Sequence, residues 1–406
     1  MSRLPCKRRT GTPAARLAAA LALGLTLLTG SPHSGATDYV PPRGEWAALP
    51  AAEAGFDEAR LAAAIAFAQA QETPQPRDLS LMIPLSFARE PFDALIGPTL
   101  PRGAPTGLVI RRGRLVAQWG EPDRVDMTFS VTKSFLSTVV GIGQARGKIA
   151  DLQARVSTSI PIGEFSGEPN ATITWDQLLR QTSNWRGVLW GKPDWADRPM
   201  GENRFSWPTD PVPAPGESWK YNDVRVNVLA LAALHAWREP LPAVLAREVM
   251  EPIGASDTWR WHGYDNSWVT IDGRAMQSVS GGGHWGGGMF INAWDLGRFG
   301  LLCLRRGRWG EREIYPAAWF EYATRPTPQN PQYGVMNWYL NTDRSLLPSA
   351  PAEAILHRGT GSNVIYVDPV NDLVVVVRWI RNDQVDGFIG RLLAALRPVP
   401  GAPARR

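Results

Sequence analysis

The sequence predicts a mixed α/β chain of the α+β type. An antiparallel sheet built from both chain ends is flanked by helices and carries an inserted, mainly helical lobe. Three observations point there. A hairpin reads near the front of the chain, with Leu108-Val109-Ile110 and Leu115-Val116-Ala117 on either side of a turn at Arg112-Gly113. A second reads near the end, with residues 363–367 and 373–379 around Asp368-Pro369-Val370-Asn371. Between them, from Ser130 to about residue 350, the pattern is one of helices and long loops. A two-stranded hairpin is marginal alone, so one sheet made from both ends is the economical solution. The seam between sheet and insert is where a pocket is expected.

The elements follow in order. Five of the 43 basic residues fall in the first 36 positions, where no acidic residue occurs. An apolar run at 17–28 and Ser34-Gly35-Ala36 complete the pattern of a secretory signal peptide over residues 1–36. The run is shorter than the roughly 20 residues a spanning helix needs. The expected localisation is therefore periplasmic or secreted, with no stable membrane span after cleavage. Without the leader, 38 basic residues face 38 acidic ones, so residues 37–406 are formally neutral. The apparent excess of +5 belongs to the leader, and the case for a nucleic-acid partner goes with it.

Residues 37–54 read as an extended arm. Residues 55–396 read as one domain, its sheet lobe at about 55–129 and 351–396 and its helical lobe at about 130–350, followed by a tail at 397–406. Asp57 caps the first helix, and residues 73–106 are Pro-rich and irregular. Helices are expected at 131–144, 175–181, 224–237 and 292–304, the last capped by Asn292. A closing helix is expected at about 386–396.

Cys303 lies in an apolar stretch and reads as a buried side chain rather than a nucleophile. His235, His262, His284 and His357 lack close ligand spacing, which argues against a zinc site. No dinucleotide or phosphate-binding loop and no H-E-x-x-H is present, so neither a cofactor nor a metal is expected.

Chemistry concentrates in three places. In Ser130-Val131-Thr132-Lys133, the i and i+3 positions of a helix bring the amine to the hydroxyl. A serine hydroxyl needs such a base to become nucleophilic, and a helix start favours a developing oxyanion. This is the only S-x-x-K in a chain with five Lys and 38 Arg. In Tyr221-Asn222-Asp223, a tyrosine stands at the entrance of an apolar helix, where it can shuttle protons if Lys133 lowers its pKa. In His357-Arg358-Gly359-Thr360, a small-residue strand edge can offer a main-chain N–H. Each segment alone also reads blandly, as a cap, a core tyrosine and a glycine turn.

In this order the three resemble the penicillin-recognising serine hydrolases. The resemblance is to class C β-lactamases, D-alanyl-D-alanine carboxypeptidases, and the esterases and 6-aminohexanoate-dimer hydrolases on the same fold. Residues 173–183 (ITWDQLLRQTS), 287–299 (GGMFINAWDLGRF) and the final hairpin add to it. It implies a β-lactamase/transpeptidase-like fold with Ser130 as acylated nucleophile and Lys133 and Tyr221 as proton-transfer residues. The oxyanion hole would use the N–H groups of Ser130 and Thr360, and His357, Arg358, Gly359, Asp223, Trp185 and Trp285 would meet the substrate.

Two departures matter: Asp223 stands where β-lactamases carry Asn, and His357-Arg358-Gly359 stands for K-T-G. Both weaken the case for a β-lactam carboxylate and favour a small ester or amide substrate. A β-lactamase or carboxypeptidase, and a non-enzymatic module binding cell-wall peptide or protein, are the alternatives. Trp185, Trp190, Trp195, Trp207 and Trp219 either roof the cleft or pack their loop onto the helical lobe. His284 and Trp285, in a Gly-rich run, are further candidates to face it.

Overall fold

A computed structural model describes residues 39–397. The expected leader at 1–36, the first two residues of the arm and residues 398–406 of the tail lie outside them. Two hairpins with left-handed turns begin and end the main sheet. Strands β1 (Thr106–Arg111) and β2 (Arg114–Trp119) join through Arg112 and Gly113, both at positive φ. Three further strands arrive from the end of the chain: β8 (Ile355–Gly359), β9 (Asn363–Asp368) and β10 (Leu373–Arg378). Strand β10 pairs with β1, so one antiparallel sheet runs β7-β8-β9-β10-β1-β2, with the short β7 (Tyr339–Leu340) at its edge. At the other edge the arm covers β2: Leu49 N–H donates to Leu115 O (2.7 Å) and Leu115 N–H to Ala47 O (3.0 Å).

Both faces of this sheet are buried, and the period-two alternation splits its residues between two cores. Val364, Tyr366, Val375 and Val377 pack with Phe56, just before helix α1 (Glu58–Ala70), with Leu61 of α1, and with Phe388 and Leu392 of α7 (Val385–Ala394). Ile365, Val367, Val374 and Val376 pack with Leu296 and Phe299 of α6 (Ala293–Leu304) and Phe135 of α3 (Thr132–Ala145). The expected caps hold: Asp57 accepts from Arg60 N (3.0 Å) and Asn292 from Asp295 N (2.8 Å).

Two expectations are corrected. The Pro-rich stretch at 73–106 contains a helix, α2 (Leu79–Ser86), capped by Asp78. The insert also holds a four-stranded sheet, β3-β6-β4-β5, made of β3 (Asp126–Met127), β4 (Arg260–Ile271), β5 (Arg274–Val279) and β6 (Gly288–Ile291). Its hairpin turns at Asp272-Gly273, both at positive φ, a dipeptide that is itself a strong hairpin signal. Helices α4 (Trp175–Leu179) and α5 (Asp223–Trp237) complete what positions the site. No helix among the described residues is long and apolar enough to cross a membrane.

Candidate active site

Ser130 sits in a single 3-10 turn, Phe129–Val131, that feeds α3. The residue before it, Phe129, has φ +48°, a conformation that costs a non-glycine residue energy and persists only where packing enforces it. Here the phenyl ring is buried with Met127, Phe290 and Trp379, and the Trp379 indole is tied to Asp126 (2.7 Å). Thr128 N–H donates to Met289 O (2.9 Å), fixing the turn to the second sheet. Ser130 itself is half-buried, at the mouth of an otherwise enclosed helix start.

Lys133 is fully buried, with Nζ 2.9 Å from Ser130 Oγ and 2.5 Å from Asp223 Oδ1. Burial lowers its pKa; Asp223 opposes that and Arg198 adds to it. Asp223 opens α5, while its neighbour Asn222 caps that helix by accepting from Arg225 N (3.0 Å). The Asp223 carboxylate is spent on Lys133 and on Arg198 Nη1 (2.8 Å), and its own N–H on Asp197. Burial would raise its pKa, but the two cations hold it well below the carboxylate range. Asp223 is thus the buried counter-ion of Lys133, which corrects its expected place on the substrate side.

Tyr221 stands just outside α5, half-buried, its phenol a hydrogen-bonding neighbour of Ser130 and its ring centroid 4.8 Å from Lys133 Nζ. Burial and Asp223 raise its pKa, and the cation that opposes them is Arg198, not Lys133. Tyr221 is therefore a neutral phenol, not the activated one expected from the sequence. Trp219, Tyr333 and Tyr339 surround it, with ring centroids 6.2 Å and 6.5 Å from Tyr221 for the first two and 5.1 Å between Tyr333 and Tyr339.

Strand β8 closes the site. A Cβ on Gly359 would stand 3.1 Å from Ser130 N and overlap Thr128 O, so only glycine lets the strand end lie against the serine turn. Thr360, the next residue, is half-buried.

His357, two residues earlier on the same face, is directed at α3. It is fully buried, bonded to Ser134 Oγ (2.9 Å) and packed on Phe299 and Trp338. Its pKa falls to about 3 through burial. It pins β8 to α3 and is not open to substrate, a correction that follows from its burial between Ser134, Phe299 and Trp338. Arg358, on the opposite face, is half-buried, with Nη2 3.2 Å from Asn382 Oδ1 and its guanidinium over Tyr339.

Both tryptophans expected at the substrate are core residues. Trp185 is buried and donates to Glu164 O (2.7 Å), and Trp285 is buried behind His284 and Tyr264. Of the Trp-rich loop, Trp195, Trp207 and Trp219 line a cavity of about 410 Å³ next to Lys220, while Trp185 packs the loop down.

Glu90, Asp197, Arg198, His284 and Tyr339 complete the site without having stood out as motifs. Only the Gly-rich run around His284 signalled itself. A Cβ on Gly282 would overlap both Lys133 Nζ and Asp223 Oδ1, so that run is the floor under the ion pair. Glu90, Asp197 and His284 bring donor atoms within 4.8 Å of one another. Their charges already have protein partners, Asp197 on Arg198 and His284 Nε2 on Glu90 (2.7 Å), and the cluster reads as ion-paired rather than metal-binding.

Solved structures with this arrangement of elements are distant in sequence. A hydrolase with promiscuous acyltransferase activity, EstCE1, shares 14% identity at TM-score 0.55, covering 84% of this chain and 99% of that one. A β-lactamase/D-alanine carboxypeptidase from Pseudomonas syringae shares 14% at TM-score 0.53, covering 78% and 99%. A β-lactamase from Mycobacterium bovis shares 20% at TM-score 0.52, covering 72% and 94%. Comparison with curated proteins gave no match. The family model described as Beta-lactamase matches residues 106–396, which runs from the first strand of the main sheet to just past its last helix, and the chain belongs to the β-lactamase family.

Proposed function

We propose that the chain is an exported serine hydrolase that cleaves a small ester or amide through an acyl-enzyme at Ser130. The observation that carries this is the 2.9 Å contact between Lys133 Nζ and Ser130 Oγ at the head of a buried helix. Neutral Lys133 takes the Ser130 proton as the hydroxyl oxygen attacks the substrate carbonyl. The N–H groups of Ser130 and Thr360 receive the developing oxyanion. The proton then passes to the leaving group, with the neutral Tyr221 phenol as donor and Lys133 resupplying it. Water clears the acyl group by the same path in reverse.

Ester or amide hydrolysis is favoured over β-lactam recognition because Asp223 presents an anion already bound to Lys133, and Arg358 is engaged by Asn382. The rings of Trp219, Tyr221 and Tyr339 suit an apolar acyl group. A fluorophosphonate probe is expected to label the native protein at Ser130 and to leave Ser130→Ala unlabelled. Equal labelling of both proteins would remove Ser130 from its role.

A further inference from the structure

Lys133 must shed a proton to act, yet a carboxylate lies 2.5 Å away and holds that proton on. The second oxygen of Asp223 is not free. It faces Arg198 Nη1 at 2.8 Å and His284 Nδ1 at 3.4 Å. His284 is itself fully buried, with Nε2 2.7 Å from Glu90 Oε2. Phe87 stacks on its imidazole, ring centroids 3.8 Å apart and planes 25° apart. The other Glu90 oxygen accepts the Arg198 N–H at 3.1 Å, so the segment after α2 locks both His284 and the Arg198 loop. Phe87 and Glu90 lie before residue 106, outside the part of the chain the family model matches.

We propose that His284, clamped between Glu90 and Asp223, is a positioning residue whose positive charge shares Asp223 with Lys133 and so sets how readily Lys133 gives up its proton. This rests on the hydrolase reading of Ser130. The charged groups facing one another come from five segments: Lys133 on α3, Asp223 on α5, Asp197 and Arg198 in the loop before it, Glu90 after α2, and His284 in the glycine run. With His284 protonated, three cations balance three anions. With it neutral, one negative charge is left over beside Lys133, and the ammonium is retained. Tyr221 and Tyr264, also nearby, are neutral phenols whose pKa values burial raises. Burial works against a charged His284, but Asp197, Asp223 and Glu90 outweigh it and raise its pKa. The nearest carboxylates are thus arranged to favour its charged form.

The test is the rate of fluorophosphonate labelling at Ser130 from pH 5 to 10, which reports the base without requiring a known substrate. In His284→Gln the midpoint of the rising limb is expected to move up by about one pH unit or more, because unit charges at this range couple that strongly in a buried site. In Glu90→Gln, which removes an anion instead, it is expected to stay or to move down. Near-UV circular dichroism identifies a variant that has lost its fold, and the remaining variant then decides. Labelling at Ser130 with His284→Gln unmoved, or with Glu90→Gln moved up, overturns this inference alone. Absence of labelling in the native protein at every pH overturns the hydrolase reading, and this inference with it.

Discussion

Gly282 shows how closely the site is fitted at the scale of one residue. The Lys133–Asp223 pair fills the space a side chain would take, so even one methyl group must push two buried charges apart. Gly282→Ala is expected to slow labelling of Ser130 at least tenfold and to cost about 2 kcal/mol of stability, the range typical of overpacking. Gly163, which has nothing within 4 Å of its Cβ position, is the control, and Gly163→Ala should change neither. Labelling rate against pH and urea unfolding of both variants check this. An unaltered Gly282→Ala would mean that the ion pair is not seated where the fold places it.

Local spacing decides which site members can be read from the sequence. Ser130, Lys133 and Tyr221 carry their chemistry in fixed local spacing, and the fold brings them together. Arg198, His284 and Glu90 reach the same point from three loops, with no spacing to betray them. Asp223 was visible as a departure from an amide, but only its buried 2.5 Å contact with Lys133 reveals the counter-ion.

Elements set the distances that residues exploit. Strand β8 alternates: His357 goes down to Ser134 on α3, Arg358 comes up to Asn382, and Gly359 lies against Ser130. That alternation was implicit in the sequence. What it could not supply was which face the strand turns to the core, because both faces of the sheet are covered.

The tie has a measurable consequence. His357 ordinarily titrates near 6.5 but falls to about 3 in the fold, and its Nε2 has no hydrogen-bond partner among the described residues. A depressed pKa means the unfolded chain binds the proton first. The stability from His357 is therefore complete above about pH 6.5 and is lost progressively as pH falls toward 3. Between pH 6 and 4, native stability should fall more steeply than that of His357→Asn, by about 1.4 kcal/mol per pH unit. Urea unfolding across that range measures the two slopes, and parallel slopes would place a protonated imidazole in the core. The helices that frame β8 were legible because caps such as Asp57 and Asn292 have a chemical signature. The 12-residue strand Arg260–Ile271 was not, because mixed polar and aromatic residues blur its alternation. The Asp272-Gly273 turn was the signal to trust.

Across the whole molecule, one sheet draws strands from both ends and the insert supplies helix α3, which carries Lys133, and a second sheet. Arg378 links the two sheets from the last strand, with its guanidinium on Asn363 Oδ1 (2.6 Å), Ile291 O (2.7 Å) and Met127 O (3.0 Å). Ser130 sits between these layers, so the architecture itself fixes its position. The same arrangement explains why the overall plan was readable from two hairpins, while the charge network, assembled only when all layers meet, was not.

A covalent intermediate on Ser130 can be caught by intact-mass and peptide mapping after rapid quenching with a p-nitrophenyl ester. An added acyl mass is expected on the peptide holding Ser130, absent in Ser130→Ala and formed at least a hundredfold more slowly in Lys133→Ala. Ester turnover with no adduct, or with the acyl group on another residue, would contradict it.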